Sequence, residues 1–125
     1  MTKDRIRTGR EGEAIAARYL ENKGYRIVER NYRCVFGEMD IIARDGRTCV
    51  FVEVKSRKSE RFGDPGLAVD RRKQRKMSAV AMCYLKEKRL LGSPSRFDVV
   101  AVRFFPQGSR VELIRNAFDF IPLER

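Results

Sequence analysis

The chain has 125 residues, 28 of them lysine or arginine and 17 acidic, with a formal net charge of +11 and no histidine. Without histidine there is no Ser-His-Asp triad, no Cys-His pair and no His-ligated zinc or iron site. Acid–base work must then come from Asp, Glu, Lys, Tyr or Cys.

The length points to one domain over residues 1–125. A composition 42% hydrophobic and 36% charged is that of a folded globular chain rather than a disordered one. The positive excess points to a polyanionic partner, nucleic acid before an anionic membrane surface. No apolar run approaches the roughly 20 residues that span a bilayer. The stretch Met1 to Arg7 is charged and lacks an apolar core, so no secretory signal is expected and the expected location is cytoplasmic. The three cysteines, Cys34, Cys49 and Cys83, are widely spaced among apolar or strand-like neighbours, and read as reduced, mostly buried thiols.

In chain order, Gly9 to Lys23 reads as a helix. Ile15, Ala16, Tyr19 and Leu20 make its apolar stripe, and Gly24 is its stop. Tyr25 to Cys34 mixes apolar and charged residues as an outer strand does, and Phe36-Gly37 breaks it. Glu38 to Arg44 is a second strand, and Asp45-Gly46 is a hairpin turn. Thr48 to Arg57 is the most apolar strand and is expected at the centre of its sheet. Ser56 to Gly66 carries Gly63, Pro65 and Gly66 and reads as a loop. A second helix is expected from Leu67 or Asp70 to Leu91, with Met77, Val80, Ala81, Tyr84 and Leu85 as its stripe and Gly92-Ser93-Pro94 as its end. Arg96 to Phe104 and Arg110 to Arg115 are the last strands, and Phe118, Phe120 and Ile121 in the tail can pack back on the core. The crossover helix allows the third and fourth strands to pair in parallel, in a mixed sheet with helices against it.

The chemistry concentrates in Asp40 and in Glu53-Val54-Lys55. Residues two apart on a strand share a face, so Glu53 and Lys55 point the same way while the valines point the other. If the second and third strands pair, Asp40 comes close to them. Two carboxylates and an ammonium at a sheet end can hold a divalent cation and a water beside a phosphate. Alone, Glu-x-Lys is a weak signal, because solvated strand faces often carry it. Glu38 shares the face of Asp40, and a turn or salt-bridge role is the plainer reading for it. Glu13 borders the apolar stripe of the first helix, and is either a member of the site or an ordinary first-turn acid. Arg71, Arg72, Lys73, Arg75 and Lys76 oppose the dipole at a helix start, which favours phosphate contact over a merely solvated face. Arg57, Lys58 and Arg61 extend that basic surface.

Glu13, Gly37-Glu38-x-Asp40-Ile41-Ile42, Val50-Phe51-Val52-Glu53-Val54-Lys55-x-Arg57, the region of Lys73 and Arg96-Phe97-Asp98-Val99 together resemble the UPF0102 (YraN-like) family. The resemblance runs from about Gly9 to Val102. That family looks like a branch of the PD-(D/E)xK nucleases, similar in layout to archaeal Holliday-junction resolvases. The first acid here lacks a preceding proline. The resemblance implies an α/β fold with the restriction-endonuclease-like α-β-β-β-α-β core. It implies Mg²⁺ or Mn²⁺ held by Asp40, Glu53 and the Val54 carbonyl, Lys55 acting on the attacking water, and Glu13 as a further ligand to metal or water, with Glu38 unassigned. The activity so implied is metal-dependent hydrolysis of phosphodiester bonds in branched or structured DNA, with no membrane partner. Resolvase-like relatives are usually dimers, so a homodimer is one arrangement it carries. The alternatives are a non-catalytic nucleic-acid-binding module on the same fold, and a basic protein-interaction subunit.

Overall fold

Among the described residues, two helices, α1 (Lys3–Asn22) and α2 (Arg71–Glu87), flank five strands, β1 (Arg26–Cys34), β2 (Gly37–Asp45), β3 (Thr48–Lys58), β4 (Ser95–Phe105) and β5 (Gly108–Ile114). The structure is a computed structural model that describes residues 3–58 and 69–122, with side chains from residue 7 onward. The strands form one sheet in the order β1-β2-β3-β4-β5. β3 and β4 run parallel, joined by the crossover through α2, and every other neighbouring pair is antiparallel. The element order α-β-β-β-α-β and the mixed sheet are as the sequence implies, and β3 is central.

Alternation divides the sheet into two cores. Ile41, Ala43, Val50, Val52, Val100 and Val102 face α1, where they meet Ala16, Ala17 and Leu20. Ile42, Cys49, Phe51 and Phe97 face α2 and meet Met77, Val80, Ala81, Tyr84 and Leu85. The tail folds back as expected, with the Phe118 ring stacked on Phe97 at 4.5 Å and the Ile121 N–H donating to Ser78 Oγ at 3.0 Å. The three cysteines are free thiols, Cys49 buried and Cys34 and Cys83 half-buried.

Several boundaries differ from the sequence reading. α1 begins at Lys3 rather than Gly9. Its first turns carry helix-forming Lys, Arg and Glu but no apolar stripe, so periodicity does not mark them. β3 runs to Lys58, one residue past the expected Arg57, so Ser56 and Arg57, where the expected strand and loop overlapped, are strand. β4 supports it all the way, pairing Lys58 with Phe104. The rest of that expected loop, residues 59–66, lies outside the described residues. α2 ends at Glu87, short of the expected Leu91. Arg89, at φ 57°, takes the left-handed position, the Arg89 N–H bonds Lys86 O and the Leu90 N–H bonds Leu85 O at 2.7 Å. This is a Schellman closure with arginine where glycine is usual, and Leu90 packs on the core beside Leu85.

Candidate active site

β2 and β3 pair from Asp45↔Thr48 to Ile41↔Val52, and there the ladder stops. In register, Asp40 and Glu53 would be the next pair. Instead the strands part, and the Asp40 carboxylate turns into the gap and accepts the Val54 N–H at 2.7 Å. β3 stays on course because β4 holds it, with Glu53 beside Val99 and Lys55 beside Ala101. The two acids therefore meet at a break in the sheet, where the Val54 N–H bonds a β2 side chain instead of continuing the ladder.

The electrostatics follow from this enclosure. Burial and the neighbouring Glu53 carboxylate push the Asp40 carboxyl up to about 8, partly offset by the Val54 N–H and reinforced by the charge of Glu13. Glu53 has a side chain only 15% exposed, and the Lys73 ammonium of α2 lies 3.3 Å from its Oε2. Lys55 shares the Glu53 face of β3 by alternation. Asp70 caps α2 by accepting the Lys73 N–H at 2.8 Å, which fixes the turn carrying Lys73.

Glu13 is not a first-turn acid, because α1 starts at Lys3 and places it mid-helix. Burial pushes its carboxyl up, Arg30 and a hydrogen bond from Asn31 pull it down, and Glu38 and Glu53 raise it again. It thus shares a field with Glu53 and Asp40 from the other side of the parted strands. Gly12 allows this approach, since a Cβ there would stand 2.8 Å from the Ser56 Cβ of β3. Glu38 is a half-buried ion-pair residue, 2.8 Å from Nε of the exposed Arg33, in keeping with the plainer reading.

The basic residues separate into groups. Arg57 and Lys58 end β3 and are exposed, as are Arg71, Arg72 and Arg75 at the start of α2. Lys73 turns inward to Glu53, and Lys76 lies over the backbone of Gly37, where an added Cβ would stand 2.7 Å from its Cε. Arg61 lies outside the described residues.

A second charged cluster carries no role in the sequence reading. Asp98 of β4 is fully buried and accepts from Tyr25 OH (2.8 Å), Arg96 Nε (3.0 Å) and the Asn116 N–H (2.9 Å). Arg96 also bonds Asp45, which Arg115 reaches at 2.6 Å. Every group in it is partnered, so it ties the residue before β1, the end of β2, β4 and the turn after β5 together on the α1 face. The Arg96-Phe97-Asp98 string was its only signal in the sequence.

Among the described residues, no three or more of Asp, Glu and Cys are gathered into a ready metal cage. Mg²⁺ needs no such cage, since it keeps several waters and takes one or two carboxylates. The Asp40–Glu53 pair fits that demand, being a donor set of oxygens whose mutual repulsion a cation relieves. Also among the described residues, no helix is long and apolar enough to cross a membrane.

The family model "Uncharacterised protein family UPF0102" matches residues 12–102. A UPF0102 protein of Syntrophus aciditrophicus is 59% identical over 114 residues, which is 91% of this chain and 90% of that one. One of Geobacter metallireducens is 50% identical over 111 residues, covering 89% and 91%. Among solved structures, SfsA of Pyrococcus furiosus in complex with Ca²⁺ is similar at 19% identity and a TM-score of 0.43, over 90% of this chain and 62% of that one. With most of its length matched by the family model and by relatives at up to 59% identity, the chain belongs to the UPF0102 family.

Proposed function

We propose that this protein is a divalent-cation-dependent nuclease that hydrolyses phosphodiester bonds in structured or branched DNA. The observation that carries the reading is the parting of β2 and β3, which leaves Asp40 and Glu53 as a half-buried carboxylate pair facing lysines at a basic end of the sheet. Two carboxylates this close repel each other when both are ionised, and a divalent cation between them relieves that repulsion more fully than Lys73 alone. The +11 net charge supports a polyanionic substrate.

Mg²⁺ or Mn²⁺, when bound, supplies positive charge against the phosphate and a more acidic water. Asp40 and Glu53 would hold it, with the Val54 carbonyl as a third donor. The Val54 N–H fixes the Asp40 carboxylate in place beforehand. Lys55 orients the attacking water and stabilises the charge that grows on the phosphoryl oxygens. Glu13 offers one more acceptor for a water proton. Lys73 balances Glu53. Arg57, Lys58, Arg71, Arg72 and Arg75 grip the phosphates on either side. The water oxygen bonds to phosphorus and one P–O ester bond breaks, leaving a phosphate monoester and a hydroxyl.

The test is a panel of four-way junction, flap, nicked and single-stranded DNA incubated with Mg²⁺ or Mn²⁺. Wild-type protein cuts at least one member. Asp40→Ala, Glu53→Ala and Lys55→Ala each lower the rate by about 10²-fold or more while circular dichroism stays native. Wild-type protein that cuts nothing with either cation overturns the reading. The absence of a three-carboxylate cage favours one rival, a nucleic-acid-binding module without catalysis. That rival gives salt-dependent binding, unchanged by chelator, and no cleavage.

A further inference from the structure

The turn between β1 and β2 presents apolar side chains to solvent where polar ones are usual. Val35 is 89% exposed and Phe36 48%, on adjacent residues. The turn is firmly rooted. Tyr32, two residues before Cys34, meets the Tyr84 ring edge-on at 5.2 Å and donates to Glu87 at 2.7 Å. Met39, just after the turn, is fully buried. Gly37 adopts φ 146° and lies directly under the Lys76 side chain. α2 therefore holds the hairpin on both sides of its tip while the tip itself stays bare.

Resting on the nuclease reading above, we propose that Val35 and Phe36 form a wedge that stacks on a base freed from the helix at a DNA branch, nick or strand end. Position supports it, because Phe36, in the turn just before β2, precedes Asp40 by four residues. That is about 13 Å along a strand, or about four base steps of DNA. A ligand cut at the carboxylates thus passes the tip. Charge supports it, because the Lys76 side chain lies over Gly37 at the tip, next to the Arg33–Glu38 ion pair, so the occupant combines an apolar face with an anion, as a nucleotide does. A second copy of the chain is a poor occupant, since two side chains fall far short of the roughly 1,200 Å² that a stable interface buries. Bases inside a continuous duplex already have both faces stacked, and apolar wedges enter only by unstacking them. The wedge therefore selects DNA in which a base is already unstacked. It would deliver structure selectivity without reading sequence, since every base has a π face.

The test is binding of a four-way junction and of a linear duplex of equal length, each with 2-aminopurine at the central position, with Ca²⁺ replacing Mg²⁺ to hold off cleavage. Wild-type protein prefers the junction, and 2-aminopurine fluorescence at the branch changes on binding. Phe36→Ala weakens junction binding by roughly tenfold, as loss of one aromatic stack does, leaves duplex binding alone and abolishes the fluorescence change. Phe36→Trp keeps the preference. An unaltered junction-to-duplex ratio in Phe36→Ala overturns the wedge while leaving the nuclease reading intact. So does a shift of Phe36→Ala from dimer to monomer in sedimentation, which would make the tip a contact between copies. Wild-type protein that binds neither DNA overturns both.

Discussion

Asp40 is the residue whose chemistry depends most on its neighbours. Its carboxyl rises from 3.8 to about 8 because burial and Glu53 both oppose its charge. The folded state then binds the Asp40 proton more tightly than the unfolded chain, so this group's contribution to stability falls as pH rises from about 4 to about 8. In metal-free protein, the melting temperature is expected to drop between pH 6 and pH 9 by more in wild type than in Asp40→Asn. Millimolar Mg²⁺ or Mn²⁺ should restore wild type at pH 9 and leave Asp40→Asn unmoved. Parallel melting curves for the two proteins, with and without cation, would sink this account. The meeting of Asp40 with Glu53 was legible because strand parity and one hairpin turn are local signals. The partnership of Lys73 with Glu53 was not, since it joins a strand to a helix across residues 53 and 73, and nothing in the run from Arg71 to Lys76 distinguishes the one lysine that turns inward.

The helices illustrate what a pattern can and cannot announce. α1 ends at Gly24, φ 96°, with the Tyr25 N–H on Leu20 O at 3.0 Å, and the glycine marks that end in the sequence. α2 closes in the same way at Arg89, and there the sequence pointed three residues too far, to Gly92, because an arginine in the left-handed region leaves no compositional mark. The start of α1 was likewise hidden, and with it the position of Glu13 within the helix. The contact that seats α1 on β3 is the close approach of Gly12 to Ser56. Gly12→Ala is expected to force the two apart and cost about 1–3 kcal/mol, an overpacking cost that outweighs the helix propensity gained. Urea denaturation should register it as a lower midpoint, and Ser56→Gly in the same chain should recover most of the loss. A Gly12→Ala protein as stable as wild type would mean that α1 is not seated through this contact.

Across the whole molecule the two faces of the sheet divide the work. The α2 face carries the parted strands and their carboxylates, while the α1 face carries the closed network around Asp98. Asp98→Ala would leave the Tyr25 hydroxyl, the Asn116 N–H and the Arg96 guanidinium short of their acceptor. It should cost about 3–5 kcal/mol, the usual consequence of breaking a buried charged pair. The expected signature is a large drop in denaturation midpoint at unchanged slope, with divalent-cation affinity of the folded protein unaltered. Loss of cation affinity in step with stability would instead join the two faces into one site. By itself the sequence determined the α/β class, the strand order along the chain, the central β3 and the exclusion of histidine chemistry, because alternation, helical period and turn residues are encoded within a few positions. Only the tertiary structure decided where the β2–β3 ladder stops, which lysine meets Glu53, that Glu13 sits mid-helix beside the carboxylates, and that Asp98 is a structural hub. Those outcomes depend on residues far apart in the chain meeting in three dimensions, and no local periodicity records which of them will meet.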